Sequence, residues 1–226
     1  LVTFSDSFIK SLSEGNVTLV FDFYEGADCE FLLTVTDTSA LEDIDTFENY
    51  TDDSQLRSAY TPNTNGNNIT VSLVDSTNGK AMRFEYDVSL PNGYSGVNHA
   101  LSQRNVAQYK GVSITLAGDN SGNTFTLQFK DKNDNYFEKE FAVDFYGEKT
   151  IKIPFEEFNA PSWQSSSATL DTTGIVQVAF YAGRGGNADT GAYMIDDVYF
   201  YNEEQETEGA RLIDKTGTFD GSAPAA

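Results

Sequence analysis

An all-β sandwich is the fold predicted for this chain, on three observations. Runs of β-branched and aromatic residues recur along most of its length. Asn-Gly, Asp-Asn and Gly-Gly steps punctuate them, and helix-forming stretches are few. Short strands at this spacing, with turn signals between them, build sandwiches. The first two runs, residues 17–23 and 30–36, are joined through Glu25-Gly26 as in a hairpin. Further strands are predicted over 69–73, 81–88, 112–116, 124–130, 136–143, 150–153, 175–181 and 192–201. Residues 7–12 and 52–59 could each form a helical turn or two.

Two seams divide the chain. Thr36-Asp37-Thr38-Ser39 closes the first hairpin before an acidic start at Glu42, and Glu203-Glu204-Gln205-Glu206-Thr207-Glu208-Gly209 opens a polar tail. The expected units are residues 1–40, 41–203 and 204–226. A lone hairpin is too small to stand by itself, so the first unit should pack on the large one or belong to an incomplete module. Because Leu1-Val2-Thr3-Phe4 looks like the middle of a strand, a piece of a longer protein is expected.

Composition narrows the partners. With 14 Lys plus Arg against 35 Asp plus Glu, the formal net charge is −21. Nucleic acid and anionic membranes would be repelled, and acidic polysaccharides are disfavoured for the same reason. Neutral ligands and divalent cations remain. No run approaches the roughly 18 apolar residues of a membrane span. The single cysteine, Cys29, alternates like a strand residue and is expected to be a small buried hydrophobe. The single histidine, His99, would have to serve any Cys–His or Ser–His chemistry, and no Gly-x-Ser-x-Gly elbow accompanies it.

The one tryptophan, Trp163, lies in a loop of Pro and Ser, residues 158–167. A Trp there either folds back over the core edge or offers a flat platform to a ligand. Sugar rings suit such a platform, since their axial C–H faces are apolar. Strand phase adds to this. In 124–130, Phe125, Leu127 and Phe129 share the core face, leaving Thr126, Gln128 and Lys130 outside. In 175–181, Val176, Val178 and Phe180 are assigned to the core, leaving Gln177, Ala179 and Tyr181 outside. Gln128, Lys130, Gln177 and Tyr181, flanked by Trp163, make a candidate neutral-sugar face, because amides and amines bond hydroxyls directionally.

Catalysis finds little support. Glycosidases need two carboxylates roughly 5–10 Å apart, yet ahead of the polar tail the only dense acidic cluster is Glu42-Asp43-Ile44-Asp45-Thr46-Phe47-Glu48, and the adjacent Asp196-Asp197 should point to opposite faces. Gly183-Arg184-Gly185-Gly186 lacks the following Lys-Ser/Thr of a phosphate loop. Calcium is more plausible chemistry: Asp45, Glu48, Asp196 and Asp197 could supply hard oxygens.

From about Asp45 to Asn202 the sequence resembles jelly-roll carbohydrate-binding modules of bacterial polysaccharide hydrolases. The likeness is carried by Phe47-Glu48-Asn49-Tyr50, Ser58-Ala59-Tyr60, Met82-Arg83-Phe84-Glu85-Tyr86, Gly93-Tyr94-Ser95-Gly96-Val97, Ile153-Pro154-Phe155-Glu156-Glu157-Phe158, Ala160-Pro161-Ser162-Trp163 and Ile195-Asp196-Asp197-Val198. It extends to the family 11 β-glucan binders and more closely to the family 23 modules of family 26 β-mannanases, with family 27 as a cousin. Ser5–Thr38 resembles the C-terminal half of the immunoglobulin-like spacers found in such enzymes.

The resemblance implies a galactose-binding-like jelly-roll β-sandwich behind a short hairpin from an immunoglobulin-like module. It implies no catalysis, an extracellular bacterial setting, and a catalytic domain in the same polypeptide. Tyr60, Tyr94, Trp163 and Tyr181 would line the sugar cleft, and a structural Ca2+ would sit on Glu48 and Asp196, with Asp45 near. Soluble β-mannan (glucomannan or galactomannan) is the first expected ligand and mixed-linkage β-glucan the second. A structural or adhesive surface module without glycan binding is the competing class.

Overall fold

The computed structural model describes residues 15–21, 29–35, 42–77, 79–90, 92–164 and 168–202. The helix expected over 7–12, the seam at 36–39 and the tail from 204 lie outside the described residues. Strands β1 (Gly15–Phe21) and β2 (Cys29–Val35) form the expected antiparallel hairpin, with Leu19 opposite Phe31. The Cys29 side chain lies outside what is described. The hairpin falls in one compact unit; residues Leu41–Tyr201 form another.

The larger unit is nearly all strand. In chain order it runs β3 (Glu42–Asp45), α1 (Asp53–Ala59), β4 (Tyr60–Thr64), β5 (Ile69–Ser76), β6 (Gly79–Asp87), β7 (Tyr94–Arg104) and β8 (Gly111–Asp119). It continues through β9 (Thr124–Asp131), β10 (Tyr136–Ala142), β11 (Tyr146–Pro154), a 3-10 turn (Phe155–Glu157), β12 (Ile175–Gly183) and β13 (Thr190–Tyr201). Two antiparallel sheets result. One has the order β10-β9-β12-β7-β4; the other runs β11-β8-β13-β6-β5, with β3 also paired to β13. These jumps in strand order require long-range pairing, which no local signal announces.

Alternation explains the layers. Phe125, Leu127 and Phe129 on β9 are fully buried, as are Phe180 on β12 and Phe84, Tyr193 and Phe200 from the second sheet. Their rings meet across the interior, Phe125 with Tyr193 at 5.7 Å and Phe129 with Phe200 at 5.9 Å. Each such ring withdraws roughly 1.5–3 kcal/mol worth of apolar surface from water. Helix α1 is short but well begun: the Asp52 carboxylate accepts from the Ser54 and Gln55 amides, and Leu56 is its buried anchor.

Two expectations need correction. The phase assigned to β12 fails at its start, because Ile175 faces the core and Val176 does not. Val176 is the extra residue of a β-bulge: Ile175 pairs with Asp131 and Gln177 with Lys130. Beyond the bulge, Val178 and Phe180 point inward as predicted. The second correction is Tyr60. It is 0% exposed, stacks on His99 at 4.6 Å and donates its hydroxyl to Asp45 Oδ2 at 2.9 Å. Opposite His99 in the β4–β7 register it takes the inward phase, so it is a core residue and no part of a cleft.

Candidate functional site

The outer face of the five-stranded sheet carries the site. Cross-strand register sets its rows: Glu138 on β10 lies opposite Gln128 on β9, which lies opposite Ala179 on β12, then Asn98 on β7. One row along, Glu140, Thr126, Tyr181, Gly96 and Asn63 line up in the same way. Side chains of period 2 therefore converge on one face. They floor a cleft of about 520 Å³ whose walls include Tyr94, Tyr136, Ser162 and Trp163.

Aromatic pairs stand at both flanks. Trp163, 65% exposed, meets Tyr136 edge-on at 5.3 Å. Tyr181 meets Tyr94 at 5.6 Å and 87°, and Tyr94 is itself 37% exposed. The Tyr181 ring lies directly over Gly96: a Cβ there would come within 1.9 Å of its Cδ1. Its hydroxyl donates to Asn98 Oδ1 at 2.8 Å and accepts from Asn63 Nδ2 at 2.9 Å. Burial pushes that phenol up to about 12, so it stays protonated and keeps donating at any physiological pH.

Between the flanks the floor is polar and acidic. Gln128 Nε2 donates to Glu138 Oε2 at 2.7 Å, and Thr126 Oγ1 approaches Glu140 Oε1 at 3.5 Å. Burial raises the Glu138 carboxyl above its usual range, and the neighbouring Glu140 charge adds to this against the Gln128 bond. Amide, hydroxyl and carboxylate groups here offer acceptors and donors at fixed positions, with ring faces at either end. That arrangement suits a polyhydroxylated ligand.

Of the predicted ligand-binding residues, Trp163, Tyr181, Tyr94 and Gln128 come together in the cleft. Lys130 and Gln177 share its face by register but stand outside the lining. The Lys130 ammonium is held at 2.7 Å by Asp134 and lies 5.4 Å from the Tyr136 ring centre. Sequence reasoning missed Tyr136, Glu138, Glu140, Asn63 and Asn98. For the first three a signal existed, since the β9–β10 hairpin fixes them opposite residues already assigned to the outer face.

The acidic residues lie elsewhere. Asp45 accepts the hydroxyls of Tyr50 (2.7 Å) and Tyr60 (2.9 Å) and the Phe47 amide (2.7 Å), so its oxygens are engaged inside the domain. This corrects its expected place in a metal shell. Glu48 Oε1 accepts the Lys80 amide at 2.6 Å, and Asp196 Oδ2 accepts from Ser76 Oγ at 2.9 Å. Burial raises the Asp196 carboxyl, and the Asp197 and Glu48 charges push the same way. Asp197 takes the Tyr199 hydroxyl at 2.9 Å. Glu48, Asp196 and Ser76 carry hard oxygens of the kind Ca2+ takes. Among the described residues no three His, Cys, Asp or Glu side chains gather at metal-holding distance, so backbone carbonyls and water would complete such a shell.

Comparison with known proteins agrees with this architecture. The family model described as carbohydrate binding domain (family 11) matches residues 34–203. Among solved structures, the chain is similar to a family 11 carbohydrate-binding module from Clostridium thermocellum, solved with a β-1,3-1,4-mixed-linked tetrasaccharide. The TM-score is 0.58 at 20% identity, over 72% of this chain and 95% of that one. The family 11 module of the cellulosomal cellulase Lic26A-Cel5E of the same organism gives 0.57 at 20% identity, over 72% and 94%. An agarase gives 0.53 at 9% identity over 72% of this chain and 24% of its own. No curated protein matches the chain in sequence. The likeness to mannanase modules, ranked first on sequence, therefore gives way to family 11. By its jelly-roll fold and by a family match spanning most of its length, the chain belongs to carbohydrate-binding family 11, whose members bind without catalysis.

Proposed function

We propose that the cleft on the five-stranded sheet binds a neutral plant polysaccharide, mixed-linkage β-glucan before β-mannan. One observation carries the reading: two aromatic pairs, Trp163–Tyr136 and Tyr181–Tyr94, bracket a polar floor in a cleft of about 520 Å³. A β-glucan chain presents alternating apolar ring faces and hydroxyl edges, which such a cleft would meet with rings and acceptors respectively. Family 11 membership, and the mixed-linkage tetrasaccharide in the solved relative, support β-glucan over mannan. A shallow cleft must order a flexible glycan, so affinity should be roughly micromolar to sub-millimolar.

Such polysaccharides lie outside cells, and the module would work there. Joined to a hydrolase in the same polypeptide, it would raise the enzyme's effective concentration at the substrate. Calcium at Glu48 and Asp196 would be structural and apart from the cleft.

Native affinity electrophoresis against barley β-glucan, glucomannan, galactomannan, xyloglucan and xylan tests this. Barley β-glucan should retard the protein most, and Trp163→Ala and Tyr181→Ala should each weaken that retardation at least about tenfold, roughly 1.4 kcal/mol. Retardation by mannans alone would restore the mannan reading. Migration unaffected by every polysaccharide would favour a structural or adhesive module.

A further inference from the structure

We propose that Gln164 is the positioning residue of the glycan platform: its side-chain amide locks the turn that presents Trp163 onto the edge of the cleft sheet. The proposal rests on the cleft being the glycan site.

Trp163 has no strand or helix of its own. It sits in a four-residue turn, Pro161 to Gln164, closed by the Gln164 amide donating to the Pro161 carbonyl at 2.9 Å. By itself such a turn would leave a bulky, 65% exposed ring free to swing. The Gln164 side chain ends that freedom. Its Oε1 accepts the Tyr136 backbone N–H at 2.7 Å, and its Nε2 donates to the Tyr136 carbonyl at 3.1 Å. One primary amide thus copies the two-bond exchange of a neighbouring strand.

The position of this clamp matters. β10 is the outer strand of its sheet, and its edge is otherwise covered at Glu138, which exchanges both backbone bonds with Asn159 (2.8 and 3.0 Å). Asn159 and Gln164 therefore fasten the segment at two points, opposite Glu138 and opposite Tyr136. Between them lies the turn, and the fastened residue Tyr136 is the ring that Trp163 meets at 5.3 Å. The backbone that holds the clamp and the aromatic that receives the indole belong to the same residue. Gln164 itself is not among the groups lining the cleft, so its effect on binding would pass through Trp163.

Because Trp163 is the only tryptophan, its fluorescence reports on this geometry without interference. Gln164→Ala should lower the steady-state anisotropy of Trp163 in the free protein while the circular dichroism spectrum stays that of the wild type. Affinity for barley β-glucan should fall about five- to tenfold, and Trp163→Ala/Gln164→Ala should bind no more weakly than Trp163→Ala alone, since both changes act on one interaction. Unchanged anisotropy in Gln164→Ala would overturn the proposal. So would full additivity of the two substitutions, which would mean Gln164 acts on the ligand by another route. If Trp163→Ala binds like wild type, the platform reading fails first, and the anisotropy then tells separately whether Gln164 holds the ring.

Discussion

Tyr181 shows how much one side chain of the cleft depends on its neighbours. Asn63 and Asn98 hold its hydroxyl, Tyr94 buttresses its edge, and Gly96 leaves the space its ring occupies. Gly96→Ala should evict the ring and weaken β-glucan binding at least about tenfold, whereas Tyr181→Phe, which loses only hydroxyl bonds, should cost about 1 kcal/mol. Calorimetric titration of both variants checks the order; a harmless Gly96→Ala would show that the ring is not where binding needs it. Glu138 adds a pH dependence. Burial lifts its carboxyl above the 4.5 of an ordinary glutamate, so it takes up a proton earlier as the solution is acidified. For stability the sign is unusual for an acid: the buried charge is a cost above the folded pKa and is relieved below it. For binding the sign reverses, because a carboxylate accepts two or more sugar hydroxyls and a carboxylic acid fewer. Affinity should therefore fall as pH drops towards 4.5 from above, and Glu138→Gln should flatten that fall. An equally steep profile in Glu138→Gln would assign the titration to another group.

At the scale of the element, β3 shows what an acidic stretch can be. On sequence, residues 42–48 are a charged cluster; in the fold Ile44 is buried, β3 pairs with β13, and Asp45 ties it to Tyr50 and Tyr60. Asp45→Ala would leave the fully buried Tyr60 hydroxyl without its acceptor and should destabilise the domain by about 2–4 kcal/mol, read by urea unfolding. β-Glucan affinity of the folded fraction should hold, since Asp45 serves the core. A loss under about 0.5 kcal/mol would mean that water replaces the carboxylate. The same contrast runs through the other elements. β9, β10, β12 and β13 were legible because each is rich in aromatic or β-branched residues. β7 was not: Ser95, Val97 and His99 take the inward phase while Gly96, Asn98 and Ala100 take the outer one, so small and polar residues occupy both phases of this strand. β4 hides behind Pro62, which is tolerated because β4 is an edge strand. Tyr136 and Glu138 were within reach of simple arithmetic across the β9–β10 turn, whereas Asn63 and Asn98 arrive only by long-range pairing. The bulge at Val176 defeats strict alternation, yet it leaves Tyr181 on the predicted face.

For the whole molecule, charge and calcium belong to one argument. A net charge of −21 makes the surface repel itself. Glu48 follows β3, Ser76 ends β5 and Asp196 sits on β13, so a cation among them would join the first and last strands of the domain. A cation there would offset a cost of folding, since the Asp196 carboxyl is raised by burial and by the charges of Asp197 and Glu48 against the Ser76 bond. Gly79 accommodates the Glu48 carboxylate there. With φ +138° and an oxygen 2.0 Å from where a Cβ would sit, it admits no larger residue without displacing Glu48. A bound Ca2+ at about 100 times its Kd would stabilise the fold by about 2.7 kcal/mol, or about 5–10 °C in Tm for a domain of this size. Chelation should lower Tm by that amount, Ca2+ should restore it, and Glu48→Gln/Asp196→Asn should melt alike with and without the ion. The double variant also removes two clustered negative charges, so in chelator it should melt no lower than wild type. A wild-type Tm indifferent to chelator would leave Glu48 and Asp196 as hydrogen-bond acceptors for Lys80 and Ser76 alone. Cleft binding should be untouched by chelator at temperatures where the protein stays folded, because none of these groups lines the cleft.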